Sequence, residues 1–459
     1  MPKTRQTQEA LEPNYRNKNF EEVEKNFTKE QATAEASRCL NCKNAKCIQG
    51  CPVSINIPAF ISELKTGNVQ KAGEIIRETS MLPAVCGRVC PQERQCEAKC
   101  VLGIKGEAVA IGCLERYTAD NSEVPITSII PSGKKVAVVG SGCAGISAAA
   151  DLAKAGHKVT VFEALHKLGG VLRYGIPEFR LPRVILDREL KTLENLGVEF
   201  KKNVIIGRSL SIKDLKADGF DAIFICSGAG APKMLYINGE NLNGVYSANE
   251  FLTRINLMKA HEESTPTPIR IGKKVAVIGG GNTAMDAART AVRIGFEEVS
   301  IVYRRSEDEL PARKAEIEHA KEEGVIFKLL HGPIEILNDG ESYVGGLKLQ
   351  VMELGEPDAS GRRSPIPIEG NIITMDVDTV IVALGTDPNP IIQRSAEQDN
   401  LELAVDRRGY IVVDKEEGKT SIEGIFAGGD VAPTGESNAI NAMGAGKRAA
   451  KAMNEYLAK

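Results

Sequence analysis

The sequence predicts an α/β protein in which a helical, cysteine-rich N-terminal domain precedes two Rossmann-like domains. The first observation is that most of the 11 cysteines fall in two rows between Cys39 and Cys100. The second is a long-range repeat, because KKVAVVGSGCAG begins at Lys134 and KKVAVIGGGNTA begins at Lys273. Each repeat continues as a helix and a second apolar strand, which is the βαβ unit of a parallel sheet.

Composition limits the class of protein. The 459 residues suffice for several domains, and 42% apolar with 26% charged residues is typical of globular chains. Lys and Arg total 58 against 61 Asp and Glu, so the net charge of −3 provides no basic field for nucleic acid. No apolar run is long enough to span a membrane, and Met1–Ala10 has no signal-peptide pattern. We therefore expect a cytoplasmic protein whose cysteine rows bind metal.

The first glycine loop has the form of a dinucleotide-binding turn. Its residues are Gly140, Gly142, Cys143, Ala144 and Gly145. The first glycine permits a tight turn, the second lets backbone approach a pyrophosphate, and the third allows close helix packing. The helix that follows would present N–H groups to the phosphates. Glu163 ends the next strand, where an acid accepts a hydrogen bond from a ribose hydroxyl, so the loop predicts a site for FAD or NAD.

The second glycine loop has the same form, but the strand that follows its helix ends in different residues. Its residues are Gly279, Gly281, Asn282, Thr283 and Ala284. The next strand continues into Arg304-Arg305 instead of ending at an acid. Because an acid would repel a 2′-phosphate and arginines bind one bidentately, this module is interpreted as an NADPH site. A solvated basic pair is the alternative.

Glycines also end two matching strands further along the chain. Asp221–Gly228 (DAIFICSG) follows the first loop and Asp378–Gly385 (DTVIVALG) follows the second. After the last strand, Gly429-Asp430 precedes a helix that starts near Ala439. An aspartate there can bind ribityl hydroxyls, and the helix N-terminus would stabilise negative charge on a reduced flavin. These features favour FAD over NAD in the first module.

The two cysteine rows have the spacing of iron–sulfur ligands. They read Cys39-x₂-Cys42-x₄-Cys47-x₃-Cys51-Pro and Cys86-x₃-Cys90-x₅-Cys96-x₃-Cys100. In the ferredoxin pattern, three close thiolates bind one cubane and the cysteine before proline reaches the other cluster. Zinc is the alternative because C-x₂-C also begins zinc ribbons, but the second row has no such pair.

The stretch LGGVLRYGIP at 168–177, the two glycine loops and the late Gly-Asp pair together resemble the two-dinucleotide-domain flavoprotein reductases. The resemblance implies that the NADPH module is inserted in the FAD module. It places FAD contacts at Gly169, Gly170, Arg173 and Gly228, and an NADPH contact at Gly385. The disulfide reductases of that superfamily carry a cysteine pair beside the flavin. Here Cys143 and Cys226 each stand alone, and both are interpreted as small buried residues.

The N-terminal zone resembles the iron–sulfur domain of the glutamate synthase small (β) subunit family. That family includes the large subunit of NADH-dependent ferredoxin:NADP oxidoreductase, and the domain also occurs in dihydropyrimidine dehydrogenase. The resemblance rests on Arg38-Cys39, Gly50–Val53, Ile57-Pro58, Cys86–Glu93 and Ile111–Tyr117. It implies two [4Fe-4S] clusters, one held by Cys39, Cys42, Cys47 and Cys100, the other by Cys51, Cys90, Cys96 and a Glu115 oxygen. Cys86 and Cys113 are rivals for that last position.

The resemblance also implies domain limits and an activity. The limits are 1–125 for the helical [4Fe-4S] domain, 126–250 and 385–459 for the FAD domain, and 251–384 for the NADPH domain. The activity is an oxidoreduction that passes electrons between NADPH, FAD and two clusters to a partner, the glutamate synthase large subunit. The alternative is an electron-bifurcating enzyme with a flavin/iron–sulfur small subunit and ferredoxin. A non-catalytic relay or assembly module is the second alternative. No catalytic acid or base is expected, because correct positioning of NADPH against FAD N5 supplies most of the catalysis of hydride transfer.

Overall fold

The computed structural model describes residues 4–124 and 129–459, and the helical N-terminal domain occupies the first range. Its helices are α1 (Pro13–Arg16), α2 (Lys29–Ala36), α3 (Lys46–Gln49), α4 (Ile57–Lys65), α5 (Val69–Arg77), α6 (Pro83–Val89) and α7 (Ile111–Asp120), with 3₁₀ turns at Gln92–Arg94, Glu97–Lys99 and Val101–Ile104. A capping box starts α2, since Gln31 N donates to Thr28 Oγ1 and Thr28 N donates to the Gln31 side chain. The domain limit expected at 125/126 lies outside the described residues.

The first Rossmann-like module begins after the N-terminal domain. Its elements are β1 (Lys135–Val139), α8 (Cys143–Lys154), β2 (Lys158–Glu163), α9 (Val171–Tyr174), α10 (Arg183–Asn195), β3 (Glu199–Lys202), α11 (Ile212–Ala217) and β4 (Ala222–Ile225). Strand β1 lies between β2 and β4 in parallel, so Val138 is paired with Val161 on one side and Phe224 on the other. A strand enclosed in this way reads as a continuous apolar run.

The second module follows directly. Its elements are β5 (Ala231–Pro232), β6 (Val245–Ser247), α12 (Ala248–Asn256), β7 (Lys274–Ile278), α13 (Asn282–Ile294), β8 (Glu298–Tyr303), a 3₁₀ turn at Glu307–Glu309, α14 (Lys314–Glu322), β9 (Ile326–Leu329), β10 (His331–Asn338), β11 (Val344–Pro357), β12 (Arg363–Met375), β13 (Thr379–Val382) and β14 (Thr386–Asp387). Its parallel sheet has the order β6-β13-β7-β8-β9, and β10-β11-β12 form a separate antiparallel sheet.

The chain then returns to the first module. The last elements are α15 (Ile391–Gln398), β15 (Ile425–Ala427), a 3₁₀ turn at Gly429–Val431 and α16 (Ala439–Leu457). Strand β15 pairs in parallel with β4, which gives the first sheet the order β15-β4-β1-β2-β3. The predicted fold class, with the second Rossmann-like module inserted in the first, is therefore confirmed.

Two short strands mark where the chain crosses between the modules. Strand β5 carries it into the second module and β14 carries it back, and the two pair antiparallel. Strand β6 belongs to the second sheet because Val245 pairs with Val380. The limit expected at 250/251 therefore falls inside α12, whereas the limit at 384/385 lies just before β14.

One apolar core runs through the N-terminal domain and the first module. Phe60 and Leu82 of the first belong to the same buried cluster as Ile146 and Met453 of the second. Helices α8 and α16 approach closely within it, because a Cβ atom on Gly446 would lie 2.2 Å from the Ala144 carbonyl oxygen. The second module has a core of its own. In the part of the chain that the structure describes, no helix is both long and apolar enough to cross a lipid bilayer.

Candidate functional site

The first glycine loop lies at the carboxyl ends of β1 and β4. Gly140 has φ of 116°, and a Cβ atom on it would lie 2.5 Å from the Cys226 carbonyl oxygen. A Cβ on Gly145 would lie 2.0 Å from the Gly140 oxygen. Packing therefore requires glycine at both positions. Gly142 differs, since no described residue beyond its neighbours in the chain has an atom within 4 Å of its Cβ position, so the loop leaves open space in front of the N-terminus of α8.

Glu163 holds the first loop in shape. Its Oε2 accepts hydrogen bonds from Ser141 N at 3.0 Å and Ser141 Oγ at 2.5 Å, and its Oε1 accepts from Leu165 N at 2.8 Å. Ser141 Oγ in turn accepts from Gly169 N at 3.0 Å. Oε1 accepts only one of these hydrogen bonds and keeps a second lone pair, so Glu163 can still accept from a ribose.

The segment after β2 closes over the same loop. A Cβ on Gly170 would lie 3.0 Å from Gly142 Cα. Arg173 donates its Nε to the Leu168 carbonyl at 3.0 Å and pairs with Asp187. Tyr174, which the sequence did not single out, is also a neighbour of the site. Burial raises its pKa to about 12, and Asp430 and Glu163 add to the effect.

The late Gly-Asp pair and α16 border the loop from the other side. A Cβ on Gly429 would lie 3.0 Å from Ala144 Cβ. Burial raises the pKa of Asp430, and its Oδ1 accepts from Ser437 Oγ at 2.7 Å. Helix α16 starts at Ala439 behind an Asn438 cap, whose side chain accepts from Asn441 N. The first-module residues predicted for FAD are thus brought around one open loop. Gly228 is likewise open, because in the part of the chain that the structure describes no residue beyond its chain neighbours has an atom within 4 Å of its Cβ position.

The second glycine loop repeats this geometry on β7 and β13. Gly279 has φ of 145°, and a Cβ on it would lie 2.4 Å from the Ala383 carbonyl oxygen. Apart from their neighbours in the chain, no residue in 4–124 or 129–459 has an atom within 4 Å of the Cβ positions of Gly281 and Gly385. Asn282 and Thr283 begin α13 beside this space, and Ala284 is buried. The cradle again places open space before a helix N-terminus, which suits a pyrophosphate.

The arginine pair after β8 is divided by the fold. Arg304 is exposed, whereas Arg305 is buried. Arg305 donates its Nε to the Arg363 carbonyl at 2.7 Å, and its Nη2 lies 2.5 Å from Asp358 Oδ2. Asp358 follows β11 at the tip of the β11–β12 hairpin. Arg304 is therefore the more available group for a 2′-phosphate, and the sequence had not separated the two.

The cysteines form two groups in space that combine the two rows. We call Cys39, Cys42, Cys47 and Cys100 the outer cysteine group, because all four line one surface pocket. Burial raises the pKa of the Cys47 thiol to about 11, and the like charges of Cys39 and Cys100 add to it. The pocket thus brings Cys100 of the second row to three cysteines of the first.

The second set, which we call the inner cysteine group, consists of Cys51, Cys90, Cys96 and Glu115. Burial raises the pKa of the Cys51 thiol to about 12, and Glu115 and Cys90 add to it. Burial likewise raises the pKa of Glu115 to about 8, with a contribution from Glu189. The Glu115 Oε1 atom is buried and has no hydrogen-bond partner among the described residues. An orphaned carboxylate oxygen of this kind is suited to a metal.

The two rivals of Glu115 lie differently. Cys113 and Glu115 are two positions apart on α7 and so point to different sides of the helix. The Cys113 thiol instead donates to Gln8 Oε1 at 3.3 Å. Cys86 is buried beside the inner cysteine group, and the charges of Cys90, Glu115 and Cys51 all raise its pKa, the hydrogen bond with Cys90 most strongly. Only Cys86 therefore stays a geometric rival.

In the described parts of the chain, the members of the two groups are farther apart than the ligands of a single-ion site. In 4–124 and 129–459, no three His, Cys, Asp or Glu side chains converge closely enough to hold one metal ion. A tetrahedral zinc would require such convergence at about 2.3 Å from each sulfur. Cysteine thiolates also hold [4Fe-4S] cubanes. Because the iron–sulfur core lies between these thiolates, they are farther apart than the ligands of a single ion.

The inner cysteine group lies against the first module. Met443 of α16 has its sulfur 3.5 Å from the Cys86 sulfur, and a Cβ on Gly444 would lie 2.9 Å from the Pro52 carbonyl oxygen. Burial raises the pKa of the Cys143 thiol to about 12, and Asp430 and then Cys90 contribute. The order from the first glycine loop outward is therefore α8 and α16, the inner cysteine group, and the outer cysteine group at the surface.

The second module is joined to the N-terminal domain at its glycine loop. Asn282 Oδ1 accepts from Arg313 N at 2.9 Å. Arg313 donates to the Arg88 carbonyl at 3.1 Å and to Gln92 Oε1 at 3.0 Å. Arg94 donates to the Pro311 carbonyl at 2.9 Å. Nothing in the sequence around Arg313 signals this role, because its partners are far away in the chain.

Comparisons with known proteins agree with this architecture. Residues 16–125 match the family described as dihydropyrimidine dehydrogenase domain II, 4Fe-4S cluster, and residues 134–446 match pyridine nucleotide-disulphide oxidoreductase. The glutamate synthase [NADPH] small chain of Escherichia coli is 36% identical over 449 residues, covering 95% of this chain and 94% of that protein. The NADP(+)-dependent formate dehydrogenase subunit beta of Moorella thermoacetica is 37% identical, over 90% of this chain and 60% of that subunit.

Solved structures show the same fold. Mycobacterium tuberculosis FprA in complex with NADPH has a TM-score of 0.58 at 21% identity, over 72% of this chain and 85% of that one. Thioredoxin reductase of T. acidophilum has a TM-score of 0.51 at 21% identity, over 70% and 98% of the two chains.

The family match over 134–446 and the relatives, together with two Rossmann-like modules of which the second is inserted in the first, define an oxidoreductase with two dinucleotide modules. The predicted enzyme class is thereby confirmed. The chain belongs to the glutamate synthase small-chain family, which the sequence had indicated.

Proposed function

We propose that the protein oxidises NADPH and passes the electrons through FAD and two [4Fe-4S] clusters to a partner subunit. The observation that carries the proposal is the order of the sites: Cys86 and Pro52, which lie beside the inner cysteine group, contact α16 of the first module, and the outer cysteine group opens to the surface. When bound, FAD supplies an acceptor for a hydride that can return its two electrons singly, as iron–sulfur clusters require.

The second module would bind NADPH. The open backbone at Gly281 and the N-terminus of α13 would face the pyrophosphate. Arg304 would bind the 2′-phosphate, with Arg305 joining when it leaves Asp358. The remaining contacts would come from Gly279, Asn282, Thr283, Ala284 and Gly385.

The first module would bind FAD. The pyrophosphate would lie at Gly142 before α8, and Glu163 would orient the ribose. Asp430 would bind the ribityl chain, and the N-terminus of α16 would stabilise negative charge on the reduced isoalloxazine. Neighbouring contacts are proposed at Gly140, Cys143, Ala144, Gly145, Gly169, Gly170, Arg173, Gly228, Gly429 and Ala439.

The cysteine domain would hold the clusters. We assign one cluster to the outer cysteine group and the other to the inner cysteine group, with the buried Glu115 oxygen as its fourth ligand. An oxygen ligand donates less strongly than thiolate, so it would tune the potential of that cluster. All 11 cysteines are free thiols, which suits the reducing cytoplasm that we propose as the compartment.

The partner that we propose is the large subunit of a glutamate synthase. Relatives carry names of small chains or beta subunits of larger enzymes. Electrons delivered by this chain would support glutamate formation only in that second subunit.

The test is an anaerobic purification followed by iron, flavin and absorption measurements. About eight irons and one FAD per chain are expected, with the flavin bleached by NADPH and much less by NADH. Zinc in place of iron would overturn the cluster assignment. An iron-loaded protein whose flavin NADPH does not bleach would instead be a relay or assembly module.

A further inference from the structure

The segment 311–313 lies between the second glycine loop and the N-terminal domain, and we call it the bridging segment. On the side of the loop, Ala312 N donates to the Gly280 carbonyl at 3.2 Å, and Arg313 N donates to Asn282 Oδ1 at 2.9 Å. Both hydrogen bonds use backbone N–H groups of the bridging segment. The position of this segment therefore decides which groups the loop has to accommodate.

The N-terminal domain holds the bridging segment through two arginines. Arg94 donates to two carbonyl groups of the segment, both at 2.9 Å. The Arg313 guanidinium donates in the opposite direction, to the Arg88 carbonyl at 3.1 Å and to Gln92 Oε1 at 3.0 Å. Hydrogen bonds from a charged guanidinium are stronger than neutral ones, so these four contacts fix the segment firmly.

Gln92 fixes the far end of this connection. The residue is buried, and its Nε2 donates to the Cys86 carbonyl at 3.1 Å and to the Gly87 carbonyl at 3.3 Å. A Cβ on Gly112 would lie 2.4 Å from the same nitrogen, so α7 packs directly on the amide. Because Nε2 is used by these carbonyls, Oε1 is the atom that is left to accept from Arg313.

The hydrogen bond from Arg313 N also orients the Asn282 amide. A backbone N–H can only donate, so Oδ1 has to face it and the Nδ2 group faces away. In the part of the chain that the structure describes, Nδ2 makes no hydrogen bond and α13 has no side-chain cap. The amide and the first N–H groups of α13 are therefore both available at the open space beside Gly281.

We propose that Arg313 is a positioning residue for NADPH, which orients Asn282 so that its NH₂ group donates to the pyrophosphate. The inference rests on the proposed function and adds that the N-terminal domain shapes the nucleotide site of another module. A donor that is already oriented loses little side-chain freedom when the nucleotide binds, so the contact contributes more to affinity.

The experiment compares two ligands of the oxidised holoenzyme by calorimetry. NADP⁺ contains the pyrophosphate, whereas adenosine 2′-monophosphate has the 2′-phosphate without it. In Arg313→Met we expect NADP⁺ to bind about tenfold more weakly and the monophosphate to change by less than about twofold. A residue that only joined the domains would weaken both ligands alike or neither of them.

Two further variants at single positions accompany it. Arg313→Lys should lie between the wild type and Arg313→Met, because lysine keeps the charge but not the forked geometry. Arg254→Met is the matched control, since Arg254 donates to the Pro268 carbonyl and to Glu250 within the second module. This control should leave both affinities within about twofold of the wild type.

A double-mutant cycle tests whether Arg313 acts through Asn282. In an Asn282→Ala background, Arg313→Met should weaken NADP⁺ binding by less than about threefold, because the amide that it orients is gone. Iron content, flavin content and thermal unfolding are measured on every variant. If Arg313→Met loses iron, Arg313→Lys replaces it in the cycle, with a smaller loss of affinity expected.

Unchanged NADP⁺ affinity in the Arg313 variants, equal loss of both ligands, or additive effects in the cycle would overturn the inference. A wild-type protein that binds NAD⁺ and not NADP⁺ would overturn the NADPH assignment alone. The cycle would then be measured with NAD⁺ and adenosine, which also differ by the pyrophosphate. Binding of neither dinucleotide would overturn both the proposed function and the inference.

Discussion

Arg305 and Asp358 form an ion pair between the end of β8 and the tip of the β11–β12 hairpin, with Nη2 and Oδ2 2.5 Å apart. A second bond from Arg305 Nε to the Arg363 carbonyl fixes the guanidinium on the hairpin. The adjacent Arg304 is left exposed beside the second glycine loop. The two arginines that the sequence presents as one phosphate clamp therefore differ, because Arg304 is exposed and Arg305 is bound to the hairpin.

Arg304→Glu is expected to reverse the cofactor preference. The substitution removes a charge-assisted contact to the 2′-phosphate and adds repulsion, so kcat/KM for NADPH would fall about tenfold to a hundredfold. NADH, which has no 2′-phosphate, would be used as well as before or better. Steady-state dye reduction with both nucleotides measures the ratio. An unchanged ratio would contradict the NADPH assignment of this module.

Asp358→Asn is expected to tighten NADPH binding modestly. The neutral side chain holds Arg305 less strongly and frees its guanidinium for the phosphate. Because Asp358 lies on an exposed hairpin, the gain is limited to about fivefold. Titration with NADPH and NADH measures it, and only the NADPH constant should change. Weaker NADPH binding would show that the ion pair supports the site instead of competing with it.

Gly142→Ala and Gly281→Ala are expected to separate the two cofactors. Neither Cβ would lie within 4 Å of a described residue other than its chain neighbours. The φ angles of −75° and −85° suit alanine, so both variants should fold normally. The added methyl would instead occupy the space of a pyrophosphate. Flavin content should fall in the first variant, and NADPH affinity should fall in the second. Equal effects on both cofactors would refute the assignment of the modules.

Glu323→Gln is expected to destabilise the protein by about 3–5 kcal/mol. Glu323 is buried and pairs with Arg16, Arg289 and Arg293. Its matched control is Glu322→Gln, because Glu322 pairs with the same Arg16 but is 51% exposed, so its loss should cost less than about 1 kcal/mol. Urea unfolding followed by circular dichroism compares the two variants.

The same group sets a pH dependence. Burial opposes ionisation of Glu323, but hydrogen bonds from Arg289 and Arg293 outweigh it and hold its pKa well below the usual range. A depressed folded-state pKa contributes stability above the unfolded value of about 4.3. That contribution is lost progressively as the pH falls below the unfolded value. Wild-type protein should therefore lose stability below about pH 4.5 faster than the Gln variant does.

Cys47→Ala and Cys113→Ala are expected to differ in iron content. Cys47 lines the pocket of the outer cysteine group. Cys113, on a different side of α7 from Glu115, donates a hydrogen bond to Gln8. The first variant should lose about half of the iron and the second should keep it. The iron contents of Cys86→Ala and Glu115→Ala show which of the two residues is the fourth ligand of the inner cluster. Loss of iron in the Cys113 variant would reject the grouping.

The features that the sequence predicts well are those that depend on neighbouring residues. Gly140 and Gly279 both have positive φ, and backbone atoms lie where a Cβ atom would stand. Both positions therefore require glycine, and the spacing of the glycines in the sequence already indicates this. The apolar runs of β1 and β7 and the repeat between them indicate the two sheets for the same reason. Strand β6 is only three residues long and has no such signal, so its place in the second sheet was not predictable.

The sequence by itself determined the glycine loops, the central strands, the acid at the end of β2 and the family. Only the tertiary structure decided that Asp358 binds Arg305 across 53 positions and that Arg313 joins the second loop to the N-terminal domain. It also decided that the Cys113 thiol is hydrogen-bonded to Gln8. The physical reason is that backbone conformation and burial periodicity are encoded locally. Pairings between distant side chains instead depend on the path of the folded chain.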